Sequence, residues 1–334
     1  MRAWWLEKPG PIDGAPLRLG ERPDPRPGAR EVLVSVAACA VCRTDLHLAE
    51  GDLEPHGPRT IPGHEVVGRV VERGRDATRF AVGDRVGIAW LRSTCGSCRF
   101  CVTGRENLCV QPMFTGWDTD GGYADLAVVP EAYAYRLPEA FTDTAVAPLL
   151  CAGIIGYRAL RQTRLPSGGR LGIYGFGASA HLAAQVAVYE GARVHVATRS
   201  ESARQLAMSL GVESVGDTTD PPPEPLDGAI LFAPSGDLVP VALRALDRGG
   251  TLAIAGIHLT EIPALRYSSD LFFEREMRSV TANTRQDGQD FLDIAARVPI
   301  ETTVTPYPFT RAADALADLA HGRVTGAAVI VNHA

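Results

Sequence analysis

Arg170-Leu171-Gly172-Ile173-Tyr174-Gly175-Phe176-Gly177-Ala178-Ser179-Ala180 runs from a short apolar strand through two glycines into the start of a helix. The pattern predicts a strand over 170–174, a helix over 178–190 and, after Gly191, a second strand over 193–197. A Gly-x-Gly-x-x-Ala at the joint of strand and helix lets the backbone approach a pyrophosphate at the positive end of the helix. The closing alanine is small enough for helix and sheet to pack closely. Alone the motif is weak. Inside a strand-helix-strand unit it points to a dinucleotide, and it makes Gly175, Phe176, Gly177, Ala178 and Ser179 candidate cofactor contacts.

The same alternation continues downstream. A helix is expected over 201–210, a proline-rich loop over 221–225, a strand over 229–232, a helix over 239–246, and strands over 251–255 and 279–282. About six parallel strands make a doubly wound α/β sheet occupying residues 151–285. Upstream, residues 1–150 have another texture, with strands over 31–36, 66–71 and 121–129 and a turn at Gly83-Asp84. From 286 to 334 a helix (288–297), a strand (302–306), a helix (312–321) and an apolar tail (327–331) should return the chain to this β-rich domain.

Composition narrows the partner. The 334 residues are 46% hydrophobic and 22% charged, with a net charge of −6, and the basic residues are scattered singly. That suits a soluble globular protein acting on a small molecule and argues against nucleic acid or an anionic membrane. The start, Met1 to Pro9, meets Glu7 before any signal-peptide core could form, and no stretch approaches the ~18 apolar residues of a membrane span. A cytoplasmic protein is expected, and in reducing cytosol clustered cysteines more often bind metal than pair.

Six of the seven cysteines fall into two metal sets. Cys95, Cys98, Cys101 and Cys109 lie within fifteen residues, four soft ligands with no vacancy, which describes a closed structural zinc in a lobe over 92–112. A ferredoxin-type cluster would need the fourth cysteine after three residues and then proline; here the gap is seven and Val110 follows. Cys42-Arg43-Thr44-Asp45-Leu46-His47 and Pro62-Gly63-His64-Glu65, with Cys151 in Cys151-Ala152-Gly153, supply the other set. Cys42, His64 and Cys151 form the Cys₂His arrangement that catalytic zinc uses while keeping one position open. Cys39, the seventh, is read as a small buried residue.

Taken together, Cys-Arg-Thr-Asp-Leu-His at 42–47, Gly-His-Glu at 63–65, the four-cysteine lobe, Cys-Ala-Gly at 151–153 and Gly-Phe-Gly-Ala-Ser-Ala at 175–180 resemble the zinc-dependent medium-chain alcohol dehydrogenases over almost the full length. The phrasing at Ala89-Trp90-Leu91 and Asp120-Gly121-Gly122-Tyr123 is most similar to the bacterial primary-alcohol enzymes. The resemblance implies a Rossmann domain inserted into a GroES-like catalytic domain, with the active site in a cleft and assembly as a homodimer or homotetramer. It implies two zinc ions per chain and an alcohol or aldehyde substrate. Glu65 would be a transient fourth partner of the catalytic zinc, Thr44 would touch the substrate oxygen and pass its proton toward His47, Asp45 would orient His64, and Arg43 would face the cofactor phosphates. Two departures bear on the cofactor: Ile155 stands where many relatives pack a threonine on nicotinamide, and no arginine stands near Ala327.

Two other classes share parts of this pattern. A metal-free enone or quinone reductase on the same fold has no need of Cys42, His64 and Cys151 together, and a non-enzymatic zinc- and nucleotide-binding redox sensor has no need of Thr44 and His47. Trp90, Trp117 and Leu91 are candidate walls of the substrate pocket, or else packing beneath loops. For the cofactor, Thr198, 23 residues after Gly175, stands where an NAD site usually places an acid. Arg199 adds a planar cation and Ser200 a donor, so NADP(H) is expected to be favoured over NAD(H).

Overall fold

The computed structural model describes residues 1–257 and 259–332. Packing divides the chain into two units, one of Met1–Cys151, Ala282–Ala296 and Thr302–Ala334, the other of Ala152–Thr281 and Arg297–Glu301.

The first unit is organised by the strand Glu31–Ala40, where Val32, Val34 and Val36 are fully buried. Each contributes roughly 1.5–3 kcal/mol by leaving water, and their two-residue period fixes which face turns inward. This strand pairs antiparallel with Glu65–Arg73 along one edge. Along the other it meets Leu126–Pro130 and then Ala327–Val331. Arg85–Ile88 and Ala134–Arg136 extend the sheet on one side, and Val304–Pro308 on the other. The register opposes Ala40 to Glu65. Cys42, two residues past one partner, and His64, one residue before the other, are therefore brought to the same end of the sheet by strand pairing alone. Cys151 follows the buried turn Ala147–Leu150 and is the last residue of this segment of the first unit.

The second unit carries six parallel strands in the spatial order Ser214–Gly216, Arg193–Ala197, Arg170–Tyr174, Leu226–Leu231, Leu246–Ile254, Glu276–Ser279. Numbered within the unit this is 3-2-1-4-5-6, the doubly wound dinucleotide-binding order. The order reverses beside Arg170–Tyr174, and there Gly175 has φ +85°, with a Cβ in its place only 2.8 Å from the Ala233 nitrogen. Only glycine fits that turn.

Several elements differ from the sequence expectation. The last parallel strand is Glu276–Ser279, not 279–282, because Ala282 takes a left-handed φ of 48° and breaks the extended run. The following helix is Arg285–Ala295 rather than 288–297, started by a capping box in which Thr284 and Asp287 bond each other's backbone. Gly288 lies inside that helix because the Tyr135 ring fills the space of its Cβ. Residues 297–301 pack with the second unit, where the Gln185 side chain holds both the N–H (2.7 Å) and the C=O (3.1 Å) of Glu301.

Helix Ala152–Gln162 approaches helix Ala178–Tyr189 so closely at Gly156 that an added Cβ would sit 2.6 Å from the Ser179 carbonyl oxygen. Gly156→Ala is expected to force these helices apart at a cost of about 1–3 kcal/mol. A thermal midpoint equal to that of the parent protein would contradict this.

Candidate metal centre and active site

Helix Arg43–Glu50 begins at Cys42, the N-cap, whose backbone is extended (φ −110°, ψ 157°) and whose side chain faces the Asp45 N–H in a capping box. Asp45, in the first turn, folds back so that its Oδ2 accepts the Cys42 N–H at 2.9 Å. The same carboxylate accepts the Gly63 N–H (3.1 Å) and the Tyr123 hydroxyl (3.2 Å), and Oδ1 lies 3.2 Å from His64 Nδ1. That last contact is close but poorly aligned, so both ring nitrogens of His64, a residue only 1% exposed, lack a well-formed hydrogen bond. A buried imidazole in that state is expensive unless something else binds it.

The ligand atoms of Cys42, His64, Glu65 and Cys151 all lie within 4.8 Å of one another. The Cys42 and Cys151 sulfurs are 3.9 Å apart. Two thiolates at ~2.3 Å from a tetrahedral zinc would be separated by about 3.8 Å, so the donor set and its spacing fit that ion. Its electrostatics agree. A hydrogen bond from Cys151 and the neighbouring His64 hold the Cys42 thiol well below its ordinary range. Burial and the Cys42 charge push the Glu65 carboxyl well above its own. The buried acids cannot all ionise without a cation among them.

Thr44 is half-buried, with its hydroxyl 3.8 Å from Cys42 Sγ. His47, three residues on, shares its helix face and binds Asp52 through Nδ1 at 2.9 Å. Arg43, the first helical residue, is exposed. Cys39 stays outside the cluster, fully buried behind Gly63 and Gly122, and burial pushes its thiol well up.

Cys95, Cys98, Cys101 and Cys109 form the second cluster. Sulfurs lie 3.5 Å apart for Cys98 and Cys101 and for Cys95 and Cys109, and 3.9 Å for Cys95 and Cys101. Backbone N–H groups of Cys95, Cys98 and Gln111 point at these sulfurs at 3.3 Å. Such donors favour the thiolate, and N–H groups of Cys101 and Val110 bring Cys98 down to about 6. From 95 to 110 only Glu106, Asn107 and Cys109 are buried, so no apolar core holds the loop. Its firmest tie is Glu106, gripped through both oxygens by Arg285 at 2.7 and 3.0–3.1 Å.

In the second unit Gly177 is the N-cap of helix Ala178–Tyr189, with nothing within 4 Å of where a Cβ would stand, while Ala180 is fully buried. Phe176 and Ser179 are half-buried and Ala178 is exposed. Thr198 is buried at the end of strand Arg193–Ala197, Arg199 is exposed, and Ser200 caps helix Glu201–Ser209 by accepting the Ala203 N–H at 3.3 Å. Leu91 is 1% exposed and belongs to the core, which removes it as a wall of an open pocket.

The alcohol dehydrogenase GroES-like domain family matches residues 28–139, and the zinc-binding dehydrogenase family matches residues 180–297. A probable alcohol dehydrogenase of Mycobacterium tuberculosis is 58% identical to this chain, covering 99% of it and 97% of the relative. The chain belongs to the zinc-type medium-chain alcohol dehydrogenase family. An alcohol dehydrogenase of Geobacillus stearothermophilus is similar at 35% identity, over 94% of this chain and 95% of its own. The solved structure of CAD from Helicobacter pylori complexed with NADP(H) aligns with a TM-score of 0.87 at 26% identity, covering 99% of each chain. The GroES-like and Rossmann-like parts expected from the motifs are those of this family, and alcohol dehydrogenase is its activity class.

Four residues of this alcohol dehydrogenase with evident structural parts escape a reading by motif. Tyr123 and Asp52 support Asp45 and His47, Arg285 anchors the four-cysteine lobe, and Arg204 donates to the Thr198 carbonyl at 2.9 Å while pairing with Asp217 at 3.2 Å. Tyr123 stood in the Asp120-Gly121-Gly122-Tyr123 stretch without its partner showing, and Asp52 offered a local signal as a carboxylate five residues after a histidine across the helix-ending Gly51. Asp45→Asn keeps the shape but loses the charge facing His64, and is expected to weaken metal binding by the Cys42 centre roughly 10- to 100-fold. Competition with a chromophoric chelator measures this, and undiminished affinity would show that Asp45 serves the fold alone.

Proposed function

We propose that this alcohol dehydrogenase interconverts alcohols and aldehydes with NADP(H), holding one zinc at Cys42, His64 and Cys151 and a second, structural zinc at Cys95, Cys98, Cys101 and Cys109. The observation that carries the reading is the Thr44 hydroxyl beside a buried three-ligand set, 3.8 Å from Cys42 Sγ. A redox sensor or a metal-free reductase has no use for a hydroxyl there. Zinc, when bound, supplies a Lewis acid for the alcohol or aldehyde oxygen, and the nicotinamide, when bound, exchanges hydride.

The chain's own groups do the rest. Thr44 Oγ1 accepts the substrate hydroxyl proton as the alcohol is oxidised while its own hydroxyl proton passes on toward His47, and both transfers reverse on reduction. His47, on the same helix face, carries that proton outward, and its Nδ1 lies 2.9 Å from Asp52. Asp45 faces His64 Nδ1 at 3.2 Å and orients its ring, and burial raises the Glu65 carboxyl well above its ordinary range beside it. The four-cysteine lobe, short of apolar burial, takes its stability from its metal. Free thiols at both centres suit a reducing compartment, the cytosol. Assembly as a homodimer or homotetramer is supported by the edge strand Glu276–Ser279 and the exposed Tyr267, Phe272 and Met277 near it.

Elemental analysis should find two zinc ions per chain; one ion, or iron, would refute the assignment. Cys42→Ser should abolish activity with the fold retained, whereas Cys98→Ser should lower the yield of soluble protein. Thr44→Val should reduce kcat severely with zinc still bound, and His47→Gln should do so less, since water can replace the outer end of a proton path. Undiminished turnover by Thr44→Val would mean that the proton leaves elsewhere.

The NADP(H) preference rests on Thr198, Arg199 and Ser200. No acid stands at the end of strand Arg193–Ala197 to repel a 2′-phosphate, and Arg199 is exposed for it. Arg204 holds the Thr198 carbonyl and so stiffens the loop, while Ser200 is occupied in capping and leaves Arg199 as the main donor. The relative solved with NADP(H) is consistent with this. A higher kcat/KM with NADPH than with NADH is expected, eroded by Arg199→Ala and inverted by Thr198→Asp. Preference of the parent enzyme for NADH would overturn it.

A further inference from the structure

In a doubly wound sheet, the crossover from an edge strand to a central one is usually made by a helix lying on the sheet face. Here the connection from Ser214–Gly216 to Leu226–Leu231 is residues 217–225, nine in all, four of them proline, with no helix among them. Helix Leu238–Ala245 covers the neighbouring part of that face, where Val239, Ala242 and Leu243 cluster with Ala229, Leu231 and Tyr174. Over Arg193–Ala197 the cover is the proline segment, and beneath it lies a cavity of about 200 Å³.

Strand register sets the floor of this cavity. Gly172 opposes His195, which opposes Ser214; one row on, Tyr174 opposes Ala197, which opposes Gly216. The two-residue period turns all six to one face, and all six line the cavity. Gly172 makes the room, since a Cβ there would stand 2.5 Å from Leu226 and 3.4 Å from the Tyr174 ring. Two polar groups of the floor lack partners. His195 is 5% exposed, and its Nδ1 bonds Ser214 Oγ at 2.8 Å while Nε2 has no hydrogen bond. Glu224 Oε1 stands 3.6 Å from Nε2, beyond hydrogen-bonding reach, and is held by Arg193 at 2.7 Å. Tyr174 is 2% exposed, and burial alone pushes its hydroxyl up to about 12, with no hydrogen-bonding neighbour taking part. Buried polar groups in that state are costly until a partner arrives.

The walls say what that partner is. Burial draws the His195 imidazole below its ordinary range, so at pH 7 it is neutral and can accept through one nitrogen. Asp217 and Asp220 also line the cavity, which disfavours an anion. Proline rings and the Tyr174 ring are rigid, flat walls with little side-chain freedom to lose. A cavity of ~150 Å³ takes benzene, so this one has room for a single ring with a small substituent. It is separate from the cofactor turn, because Gly175 lies beyond the carboxyl ends of the strands and the row Gly172, His195, Ser214 lies on their face.

We infer that this cavity is a second small-molecule site, which takes an uncharged single-ring compound carrying one hydroxyl, of the phenol class. The ring lies between the prolines and the Gly172 floor. Its hydroxyl accepts from Tyr174 and donates to His195 Nε2, while His195 Nδ1–H donates to Ser214. Neither the metal centre nor the nicotinamide takes part.

Phenol is the probe, titrated into the intact enzyme carrying ¹³C-labelled histidine, with and without NADPH. The His195 ring signal, identified by its loss in His195→Gln, should shift saturably in both titrations. Toluene has the same shape without the hydroxyl and should bind about fivefold more weakly, the worth of one ordinary hydrogen bond. Benzoate should not compete, and Tyr174→Phe should weaken phenol about fivefold while leaving toluene unchanged. A shift at the other histidines with none at His195, or displacement of phenol by NADPH, would place the binding at the sites already described and overturn the inference. Equal affinity for phenol and toluene in the parent, competition by benzoate, or undiminished phenol affinity in a folded Tyr174→Phe would overturn it as well. The toluene and benzoate comparisons need no variant, so they decide the matter even if Tyr174→Phe does not fold.

Discussion

A single buried carboxylate ties the metal centre to the fold. Asp45 is 2% exposed, and its two oxygens face the backbone of Cys42 and Gly63, the Tyr123 hydroxyl and the His64 ring. A charge at that depth is tolerated only because several donors surround it. Those donors come from three separate segments, so satisfying the charge assembles the centre. The helix start, the Pro62-Gly63-His64 turn and the Gly121-Gly122-Tyr123 turn converge on one point, and the candidate ligands Cys42 and His64 inherit their positions.

Backbone geometry supports the same convergence. A Cβ at Gly121 would lie 2.1 Å from the Gly63 carbonyl oxygen, and one at Gly63, where φ is +98°, would enter the Tyr123 ring. These glycines let two turns and a tyrosine occupy the space that side chains would otherwise take. The segments can thus reach Asp45 because the backbone permits contact, and the arrangement tolerates little repacking.

The two clusters that could hold a metal were legible in sequence because their chemistry is local. Cys95 to Cys109 declare a closed site by spacing alone, and Cys42 and His64 sit where a strand ends and its partner begins. The glycine motif was legible for the same reason, since a strand, a turn and a helix follow each other directly. What could not be read is what folding brings together across long separations. Tyr123 lies 78 residues from Asp45, and Arg285 lies 179 from Glu106. Ser214–Gly216 is too short to show a period, and strand Leu246–Ile254 starts earlier than expected because its polar Asp247, Arg248 and paired glycines mask its first half. The rings of Trp90, Phe114 and Trp117 were visible as residues but not as a parallel set.

The discontinuity of both units bears on how the chain is made. The strand Glu31–Ala40, which presents Cys42, has its edge completed by Ala327–Val331, nearly three hundred positions later. Pairings of that sequence separation form slowly, because the intervening chain must first be confined. The inserted parallel sheet can condense while the β-rich unit still waits for its closing strand. During that interval Cys42, His64 and the four lobe thiols are already synthesised but not yet enclosed, and they are open to whatever ions the cell supplies. Filling of the metal sites proposed at these residues is therefore a question of timing during synthesis as much as of affinity in the finished fold.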